Sequence, residues 1–595
     1  MQQFFKFVFA SCLGIALFTL AFSFFLIAVA GGAAASFGAK QGAEVKPNSV
    51  LEITFDAPIP EKTNNVQPQG FTLEPEEVVG LFDMVDAIEH AKTDDDIKGI
   101  FLDVSMVPGG MVTRSTLRDA LVDFKESGKF IVAYAKFYTQ NGYYMASVAD
   151  DISVHPIGTI DFRGYGAQIP FYKNMLDKIG VKMEVYYAGQ FKSATEPYRL
   201  TEMSDQNRRQ IKEYLEPLYQ TFLNDIGEAR DIAPDELRRI ANGWLIREAE
   251  DAVTYKLADR VGYKDEVLDV LREKIGLEDD DKIYKINLKD YAGKVRPKTN
   301  FNVKDKIAVI FAEGTIVMGG KDVAGSVSDE DYGPMIRKIR KDDKIKGIVL
   351  RVNSGGGSAL TSESLWQELS LAMEEGKPVV VSMGDYAASG GYYIACMADK
   401  IFAEPNTITG SIGIFSMIPN ASELLNDKIG ISLDTLNLGQ YASSINGFHD
   451  HAPDEAAIIQ EMTDNGYEMF LKRVSEGRDM TRDEVHEIAQ GRVWTGEKAL
   501  EIGLVDELGD LEDAIAEVKE LAGLQEYRIS EYPKVKDPFQ QLIDQLLNPS
   551  NATANAKAAV LREELGPLYP AYQQFKEIKE TTGLQARMPF LIDVQ

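Results

Sequence analysis

The chain has 595 residues, about four times the length of a typical domain, so it is expected to contain at least two compact units. Its 45% hydrophobic and 26% charged residues are typical of a globular protein and exclude disorder as the main state. With a formal net charge of −29, the chain lacks the excess of basic residues with which proteins bind nucleic acids, so no nucleic-acid partner is expected. Two cysteines and five histidines are too few and too scattered to predict a disulfide framework or a metal centre, and no cofactor is expected.

The first predicted element is a membrane-spanning helix. No charged residue occurs from Phe7 to Ala39, and the stretch from Phe7 to Ala30 is almost entirely apolar. That length suffices to cross a hydrocarbon core of about 30 Å. A cleavable signal peptide that ends near Ala28-Val29-Ala30 is the alternative, but its apolar region normally spans only about 7–15 residues. We therefore predict an uncleaved anchor, and the lysines on either side of it leave its orientation open.

The rest of the chain contains an internal repeat. Residues 96–104 (DIKGIFLDV) recur at 344–352 (KIKGIVLRV) with six of nine positions identical. Residues 142–156 (GYYMASVADDISVHP) recur at 391–405 (GYYIACMADKIFAEP) with eight of fifteen identical. The two separations, 248 and 249 residues, are nearly the same. Because the matches keep one spacing, the chain is predicted to hold two copies of one domain.

This repeat divides the chain into five predicted segments. They are residues 1–48 (membrane anchor and linker), 49–290 (first repeat domain), 291–304 (linker), 305–533 (second repeat domain) and 534–595 (C-terminal extension without a repeat partner). Within each repeat, short β-branched runs alternate with longer amphipathic stretches, as in Ile345–Val352 and Leu360–Glu375. Such alternation indicates βαβ units around a buried parallel sheet. The predicted fold class is therefore α/β.

A glycine-rich turn follows the run Ile345–Val352. It reads Asn353-Ser-Gly-Gly-Gly-Ser358 and leads into a helical pattern that begins near Ala359. Adjacent glycines at the start of a helix allow backbone N–H groups to face a negatively charged oxygen. The turn is therefore either half of an oxyanion hole, with Gly356 as donor, or a simple tight connection, which is the commoner role of such a loop on its own.

A second loop places a serine at the start of a predicted helix. The run Pro378–Met383 leads into Gly384-Asp-Tyr-Ala-Ala-Ser-Gly-Gly391, in which Ser389 precedes Gly390. A serine at this position commonly caps the helix. The glycine after it, however, leaves the hydroxyl accessible and offers a second N–H donor that would act together with Gly356. Two such loops on adjacent strands predict a nucleophile beside an oxyanion hole.

Four motifs in order then carry a family resemblance: VNSGGGS, MGDYAASGGYYIA, TGSIGIF and GRVWTGEKALEIGLVDELG. With them the chain resembles the long, duplicated form of the signal peptide peptidase A family, membrane-bound serine proteases of the Clp-protease/crotonase superfamily. The resemblance implies two tandem domains of that fold and a ring-like homotetramer with enclosed active sites. The family's Asn-Ser-Pro-Gly-Gly reads Asn353-Ser-Gly-Gly-Gly357 here, which loosens the turn but keeps the glycine donor.

The general base is predicted from the positions at which the two repeats differ. Ser389 aligns with Gln140, whereas Lys192 aligns with Ala442 within a shared Gly-Gln-aromatic motif. An isolated lysine is usually a solvated surface charge, but the motif GQFKSATEP is also where the resembled family carries its general-base lysine. We therefore predict a Ser389–Lys192 dyad, since no histidine is placed to serve the serine. Ser411 in TGSIG matches the family position that orients the lysine, and a plain turn serine is an equal alternative.

Together these features predict a membrane-anchored serine endopeptidase. The resemblance implies that it degrades cleaved signal peptides and similar short apolar peptides, with most of the chain on the extracytoplasmic (periplasmic) side. One alternative is a crotonase-like acyl-CoA enzyme, which would need a carboxylate base and a CoA pocket. The other is an inactive membrane-tethered scaffold, against which the retention of both dyad residues argues.

Overall fold

The structure is a computed structural model, and it describes residues 45–65, 77–278, 281–296, 302–320, 325–534 and 583–588, with Gly14, Asn300, Leu561 and Gly566 as single residues. Apart from Gly14, the predicted membrane anchor lies outside the described residues. Within the described ranges, no helix combines the length and the apolar character that crossing a bilayer requires.

Strands and helices alternate along both repeats. In chain order the strands are β1 (Ser49–Ile53), β2 (Ile97–Asp103), β3 (Phe130–Ala135), β4 (Asp151–Val154), β5 (Lys182–Tyr187), β6 (Arg260–Val261), β7 (Lys285–Asn287), β8 (Lys306–Glu313), β9 (Thr315–Val317), β10 (Ser326–Ser328), β11 (Ile345–Ser354), β12 (Gly356–Ser358), β13 (Val379–Ala388), β14 (Lys400–Ala403), β15 (Ile408–Gly410), β16 (Phe415–Asn420), β17 (Val493–Thr495), β18 (Glu507–Leu508), β19 (Arg528–Tyr532) and β20 (Gln585–Arg587). The α-helices are α1 (Leu81–Thr93), α2 (Met111–Lys125), α3 (Gln140–Ala146), α4 (Lys173–Ile179), α5 (Glu196–Arg199), α6 (Asp205–Arg230), α7 (Pro234–Asn242), α8 (Ala249–Thr254), α9 (Lys264–Ile275), α10 (Leu288–Val295), α11 (Asp329–Lys341), α12 (Ala359–Glu374), α13 (Gly390–Ala395), α14 (Pro453–Arg478), α15 (Arg482–Ile488), α16 (Gly496–Glu501) and α17 (Leu511–Leu521).

Each repeat is built on a mainly parallel sheet. In the first repeat the strand order is β6-β4-β3-β2-β1-β7, and all neighbours are parallel. In the second repeat the order is β17-β15-β13-β11-β8-β19; β14 also pairs with β13, and β18 pairs with β14. The central strands are buried on both faces because helices cover the sheet. The α/β class and the parallel sheets predicted from the sequence are therefore confirmed.

The repeat is visible in detail as well as in topology. Helices α6 and α14 each have 26 residues, and they begin at positions 205 and 453, which are 248 apart. Both end at an aspartate with left-handed backbone, Asp231 with φ 52° and Asp479 with φ 51°. The two copies have therefore kept the same helix length and the same type of C-terminal turn.

A third sheet joins the two repeats. Its strand order is β10-β9-β12-β20-β16-β5. Strand β5 comes from the first repeat and pairs antiparallel with β16 of the second over six residues, from Lys182–Asn420 to Tyr187–Phe415. The residues that follow β5 are thereby held beside the loops of the second repeat.

The predicted linker is shorter than expected, because α10 extends to Val295 within the range 291–304. Asn287 caps this helix by accepting a hydrogen bond from the Asp290 N–H at 2.8 Å. Tyr291 and Ala292 are buried in the core of the first repeat. Because these two side chains are buried, the helix continues into the first part of the segment 291–304, although the sequence of that segment is polar overall.

Candidate active site

Ser389 lies at the junction between β13 and α13 in an unusual backbone conformation. Its φ is 55° and its ψ is −115°, a region that costs a residue with a side chain roughly 1–3 kcal/mol. Two hydrogen bonds hold the turn: the Ser389 N–H donates to the Gly410 carbonyl, and the Tyr393 N–H donates to the Ser389 carbonyl, both at 2.8 Å. The hydroxyl makes no capping bond to the helix, so it is available for another partner.

Lys192 reaches the same place from the first repeat. It lies five residues after β5, in a loop that contacts the second repeat through the Phe191 N–H, which donates to the Gln490 carbonyl at 2.9 Å. A methyl group built on the Gly491 Cα would lie 2.7 Å from the Lys192 Cα. Only glycine at position 491 therefore lets the lysine backbone approach this closely.

The structure brings Lys192, Ser389 and Ser411 together within one chain. Lys192 Nζ lies 2.8 Å from Ser389 Oγ, 3.0 Å from the Ser411 carbonyl oxygen and 3.1 Å from Ser411 Oγ. All three residues are buried, with relative exposures of 1% or less. Ser411 has a left-handed backbone (φ 52°), and its N–H donates to the Arg492 carbonyl at 2.7 Å. This backbone turn directs both of its oxygens at the amine.

The environment of Lys192 favours the neutral amine. Burial holds the pKa of Lys192 well below its usual value of 10.5, and no charge among the described residues offsets that effect. The three oxygens within reach belong to hydroxyl and carbonyl groups, which do not stabilise an ammonium ion as a carboxylate does. A neutral amine at 2.8 Å from a hydroxyl can accept its proton.

The glycine loop lies against the residue after the serine. A methyl group on the Gly356 Cα would lie 2.5 Å from the Gly390 nitrogen, and Gly356 has a φ of +92°. The Gly356 N–H donates to Ser354 Oγ at 3.1 Å. The next residue, Gly357, also faces this point, because a methyl group on the Gly390 Cα would lie 3.1 Å from the Gly357 nitrogen. Sequence reasoning did not single out Gly357, although three consecutive glycines are the signal that could have drawn attention to it.

In the first repeat the corresponding position has a structural role. Gln140 Oε1 accepts hydrogen bonds from the Gly164 N–H at 2.8 Å and from the Arg163 N–H at 3.1 Å. Phe162, which is buried, stands where the second repeat has Ser411. The first repeat therefore lacks a serine hydroxyl at the positions equivalent to Ser389 and Ser411. The Gln140 side-chain amide instead binds the loop that contains Arg163 and Gly164.

Asp385 is a residue near the site that sequence reasoning missed. It lies four positions before Ser389 and accepts hydrogen bonds from the Gly110 N–H at 2.9 Å, the Thr113 N–H at 3.0 Å and Thr113 Oγ1 at 2.6 Å. These donors belong to the N-terminal turn of α2 in the first repeat, where a carboxylate is stabilised. The contact fixes the serine loop to the first repeat at a second point, and nothing in the local sequence indicates a partner 272 positions away.

The remaining candidate side chains lie elsewhere. Among the histidines, His90, His451 and His486 contact tyrosine hydroxyls, His155 packs on a tyrosine ring, and His449 contacts Asn446. Cys396 is fully buried, and burial raises the pKa of its thiol to about 12. A thiol in that state is a poor nucleophile, so Cys396 is a packing residue of the core.

Comparison with known proteins places this geometry in a family. The chain matches peptidase family S49 twice, over residues 123–278 and 372–525. It is 36% identical to Protease 4 of Salmonella typhi over 500 residues, which cover 82% of this chain and 79% of that protein. It is 29% identical to the protein named Serine protease SPPA, chloroplastic, of Arabidopsis thaliana over 552 residues, which cover 91% of this chain and 78% of that protein.

Among solved structures, the chain is similar to a mutant of ClpP1 from Listeria monocytogenes, with a TM-score of 0.23 and 13% identity, over 36% of this chain and 95% of that chain. The family is shown by the sequence matches, which fall once in each repeat and extend over most of the chain. The chain belongs to peptidase family S49 and is a serine peptidase of the long, duplicated signal peptide peptidase A type.

Proposed function

We propose that the chain cleaves peptides with Ser389 as the nucleophile and Lys192 as the general base. The observation that carries this proposal is the 2.8 Å distance between Lys192 Nζ and Ser389 Oγ at a fully buried position. A serine hydroxyl is a weak nucleophile until a neighbouring base accepts its proton. Lys192 is suited to that role because burial favours its neutral form.

The reaction proceeds through an acyl-enzyme. Lys192 accepts the proton of Ser389 as Oγ bonds to the scissile carbonyl carbon, and the same proton passes to the leaving amine. Water then attacks the ester, with Lys192 again as the base. Ser411 holds the amine in place through its hydroxyl and its carbonyl.

The oxyanion is held by backbone N–H groups at the meeting point of the two glycine loops. Gly390 supplies one donor and the loop that contains Gly356 and Gly357 supplies the other. An N–H group preorganised in this way contributes about 3–4 kcal/mol to transition-state stabilisation. Both donors are backbone N–H groups, so their positions do not depend on the conformation of flexible side chains.

Labelling with a fluorophosphonate probe tests the nucleophile directly. The probe is expected to modify the full-length chain at Ser389, as mapped by peptide mass spectrometry, and to leave Ser389→Ala unlabelled. Ser416→Ala is the matched control, because Ser416 is also buried but contacts Thr463 instead of the lysine. Labelling that persists in Ser389→Ala, or that maps to another residue, would contradict the proposal.

We further propose that each repeat has the Clp-protease/crotonase fold and that an uncleaved N-terminal helix anchors the chain, with the repeats on the extracytoplasmic side. The uncharged stretch from Phe7 to Ala39 supports the anchor. An anchored peptidase would meet cleaved signal peptides and similar short apolar peptides at the membrane surface. Resistance of the protein to carbonate extraction, and its digestion by protease added to spheroplasts whose outer membrane has been opened, are expected. Release into the soluble fraction would contradict the anchor.

We also propose assembly into a closed homo-oligomer, a tetramer. Residues 429–448 of the second repeat expose many apolar side chains, among them Leu436 (91% exposed) and Leu438 (98% exposed). The equivalent segment of the first repeat carries Lys192 and packs on the second repeat of the same chain. Packing of residues 429–448 on the first repeat of the next chain would repeat that contact around a ring. Leu438→Asp is expected to shift the native mass towards the monomer, whereas an unchanged tetramer would contradict this contact.

A further inference from the structure

The first repeat keeps a glycine loop that serves no serine nucleophile. Gly110 is the last glycine before α2, as Gly357 is the last glycine before α12. The position equivalent to Ser389 holds Gln140, which has no hydroxyl. The loop and the first turn of α2 nevertheless direct backbone N–H groups at one point, and the start of a helix favours a negative charge there. The first repeat has therefore kept an anion-binding geometry although it lacks the serine.

The anion at this point is the carboxylate of Asp385, which belongs to the second repeat. Its Oδ2 accepts hydrogen bonds from the Gly110 N–H at 2.9 Å and from the Thr113 hydroxyl at 2.6 Å, and its Oδ1 accepts one from the Thr113 N–H at 3.0 Å. Asp385 is only 6% exposed, and these three donors compensate for the burial of its charge. A methyl group on the Gly110 Cα would lie 2.3 Å from the Asp385 Cγ. The carboxylate therefore fits because residue 110 is a glycine.

Asp385 lies on the strand that leads to the nucleophile. It belongs to β13, and the three residues after it pair with β15. The next residue, Ser389, donates its N–H to the Gly410 carbonyl at 2.8 Å. Because the residues between Asp385 and Ser389 are all held in this ladder, a displacement of Asp385 would also displace the serine.

The helix that binds Asp385 belongs to the same repeat as Lys192. The first repeat therefore holds both members of the dyad: Lys192 as its own residue, and Ser389 through the contact between Asp385 and α2. Transfer of a proton from Ser389 Oγ to Lys192 Nζ requires a separation of about 2.6–3.2 Å. The observed separation is 2.8 Å, and a misplacement of about 1 Å can lower a rate about 10²-fold. A contact that fixes the serine strand to the first repeat thus bears directly on the reaction.

The donors around Asp385 require a carboxylate. Oδ2 faces the Gly110 N–H and Oδ1 faces the Thr113 N–H, so both ends of the group act as acceptors. Asparagine has nearly the same shape, but its amide nitrogen carries hydrogens and would face one of these N–H groups as a second donor. Two buried donors that face each other lose their hydrogen bonds, which is costly. Asp385→Asn is therefore a nearly isosteric change that breaks the contact.

We propose that Asp385 is a positioning residue, which sets the distance between Ser389 and Lys192 by binding the glycine loop of the first repeat. The proposal rests on the proposed function of Ser389 and Lys192. In this role Asp385 exchanges no proton with the substrate and acts through the dyad. Its loss is therefore expected to lower kcat and to leave KM nearly unchanged.

Peptide-ester kinetics on Asp385→Asn in the full-length protein, both alone and combined with Lys192→Ala, test this role. Alone, Asp385→Asn is expected to lower kcat about 10- to 100-fold. Combined with Lys192→Ala, it is expected to leave the residual rate of Lys192→Ala unchanged, because the base whose distance to the serine Asp385 sets is already absent. A loss of the same factor in both backgrounds would mean that Asp385 supports the oxyanion loops or the fold in general, and it would overturn the proposal.

Two further variants serve as the control and as a second test. Asp399→Asn is the control, because Asp399 accepts the Val379 N–H at 2.8 Å at the other end of β13 and so joins two residues of the second repeat. Its kcat is expected to stay near normal. Thr113→Val removes one donor to Asp385 at similar volume and is expected to cause a smaller loss of kcat, with no further loss when it is added to Asp385→Asn. If Asp385→Asn does not fold, the same comparison with Lys192→Ala is made with Thr113→Val.

The Lys192→Ala variant separates this proposal from the proposed function. If Lys192→Ala is nearly inactive while folded Asp385→Asn has a normal kcat, the dyad stands and the positioning role of Asp385 is wrong. If Lys192→Ala hydrolyses the ester at nearly the wild-type rate, the dyad is wrong and the positioning role fails with it.

Discussion

Lys192 Nζ lies 2.8 Å from Ser389 Oγ although the two residues are 197 positions apart and belong to different repeats. Two contacts account for this approach: the pairing of β5 with β16, and the packing of the lysine loop on Gly491. One residue of each repeat thereby contributes to the proposed active site. The equivalent place in the first repeat is closed by Gln140 and Phe162.

The activity is expected to depend on pH through the amine. The pKa of Lys192 is lowered well below 10.5 by burial, and only the neutral amine accepts the serine proton. With an uncharged peptide ester, kcat/KM should therefore rise with pH through the lowered pKa and reach its plateau below pH 10.5. A profile that is flat, or that rises only near pH 10.5, would contradict a buried lysine base.

The same shift predicts a change in stability in Lys192→Met. In the window between the lowered pKa of the folded state and 10.5, the unfolded wild-type chain binds more protons than the folded chain, so its free energy of unfolding rises with pH. Methionine has no proton to lose and fills a similar volume. The variant should therefore melt at a higher temperature than wild type at pH 7, and the difference should shrink towards pH 10. A constant difference between the two melting temperatures would refute this linkage.

Gly356→Ala is expected to lower kcat about 10²- to 10³-fold, the effect of losing an oxyanion donor, because displacement of the loop would move the neighbouring Gly357 N–H; the Gly356 N–H itself donates to Ser354 Oγ. The added methyl group would lie 2.5 Å from the Gly390 nitrogen and would displace the glycine loop. Gly376→Ala is the matched control, because its φ of +84° imposes the same backbone strain while nothing lies within 4 Å of the new methyl group. Peptide-ester kinetics on both variants separate the two effects, and equal losses of kcat would mean that backbone strain alone is responsible.

Ser411→Ala is expected to reduce kcat about tenfold with little change in KM, because it removes one of the contacts that orient the lysine amine. The loss is partial because the Ser411 carbonyl remains 3.0 Å from Nζ. The control is Ser416→Ala, which removes a buried hydroxyl that does not contact Lys192. Full activity in Ser411→Ala would leave Ser411 as a plain turn residue.

Much of the site can be predicted from the sequence because the chain contains two copies of one domain, and their sequences can be compared with each other. The alignment of Ser389 with Gln140, and of Lys192 with Ala442, predicts complementary losses after duplication. The structure places the two retained residues in contact. The α/β class follows from the alternation of β-branched runs with amphipathic stretches, which depends only on local periodicity.

The features that sequence reasoning missed depend on contacts between distant segments. Asp385 binds the first turn of α2, and strand β20 enters a sheet more than 160 positions after its neighbour β16. Neither segment has a local pattern that names its partner. The helical start of the predicted linker was missed for a similar reason, since Tyr291 is buried by residues from elsewhere in the first repeat.

The most direct test of the account is peptide-ester hydrolysis by Ser389→Ala, Lys192→Ala and the double variant. A nucleophile and its base act as a unit, so the three variants should show the same residual rate, at least about 10³-fold below wild type. Gln140→Ala, at the position equivalent to Ser389 in the first repeat, should retain nearly normal turnover. Near-normal turnover in Lys192→Ala, or a double variant much slower than either single variant, would contradict a Ser389–Lys192 dyad.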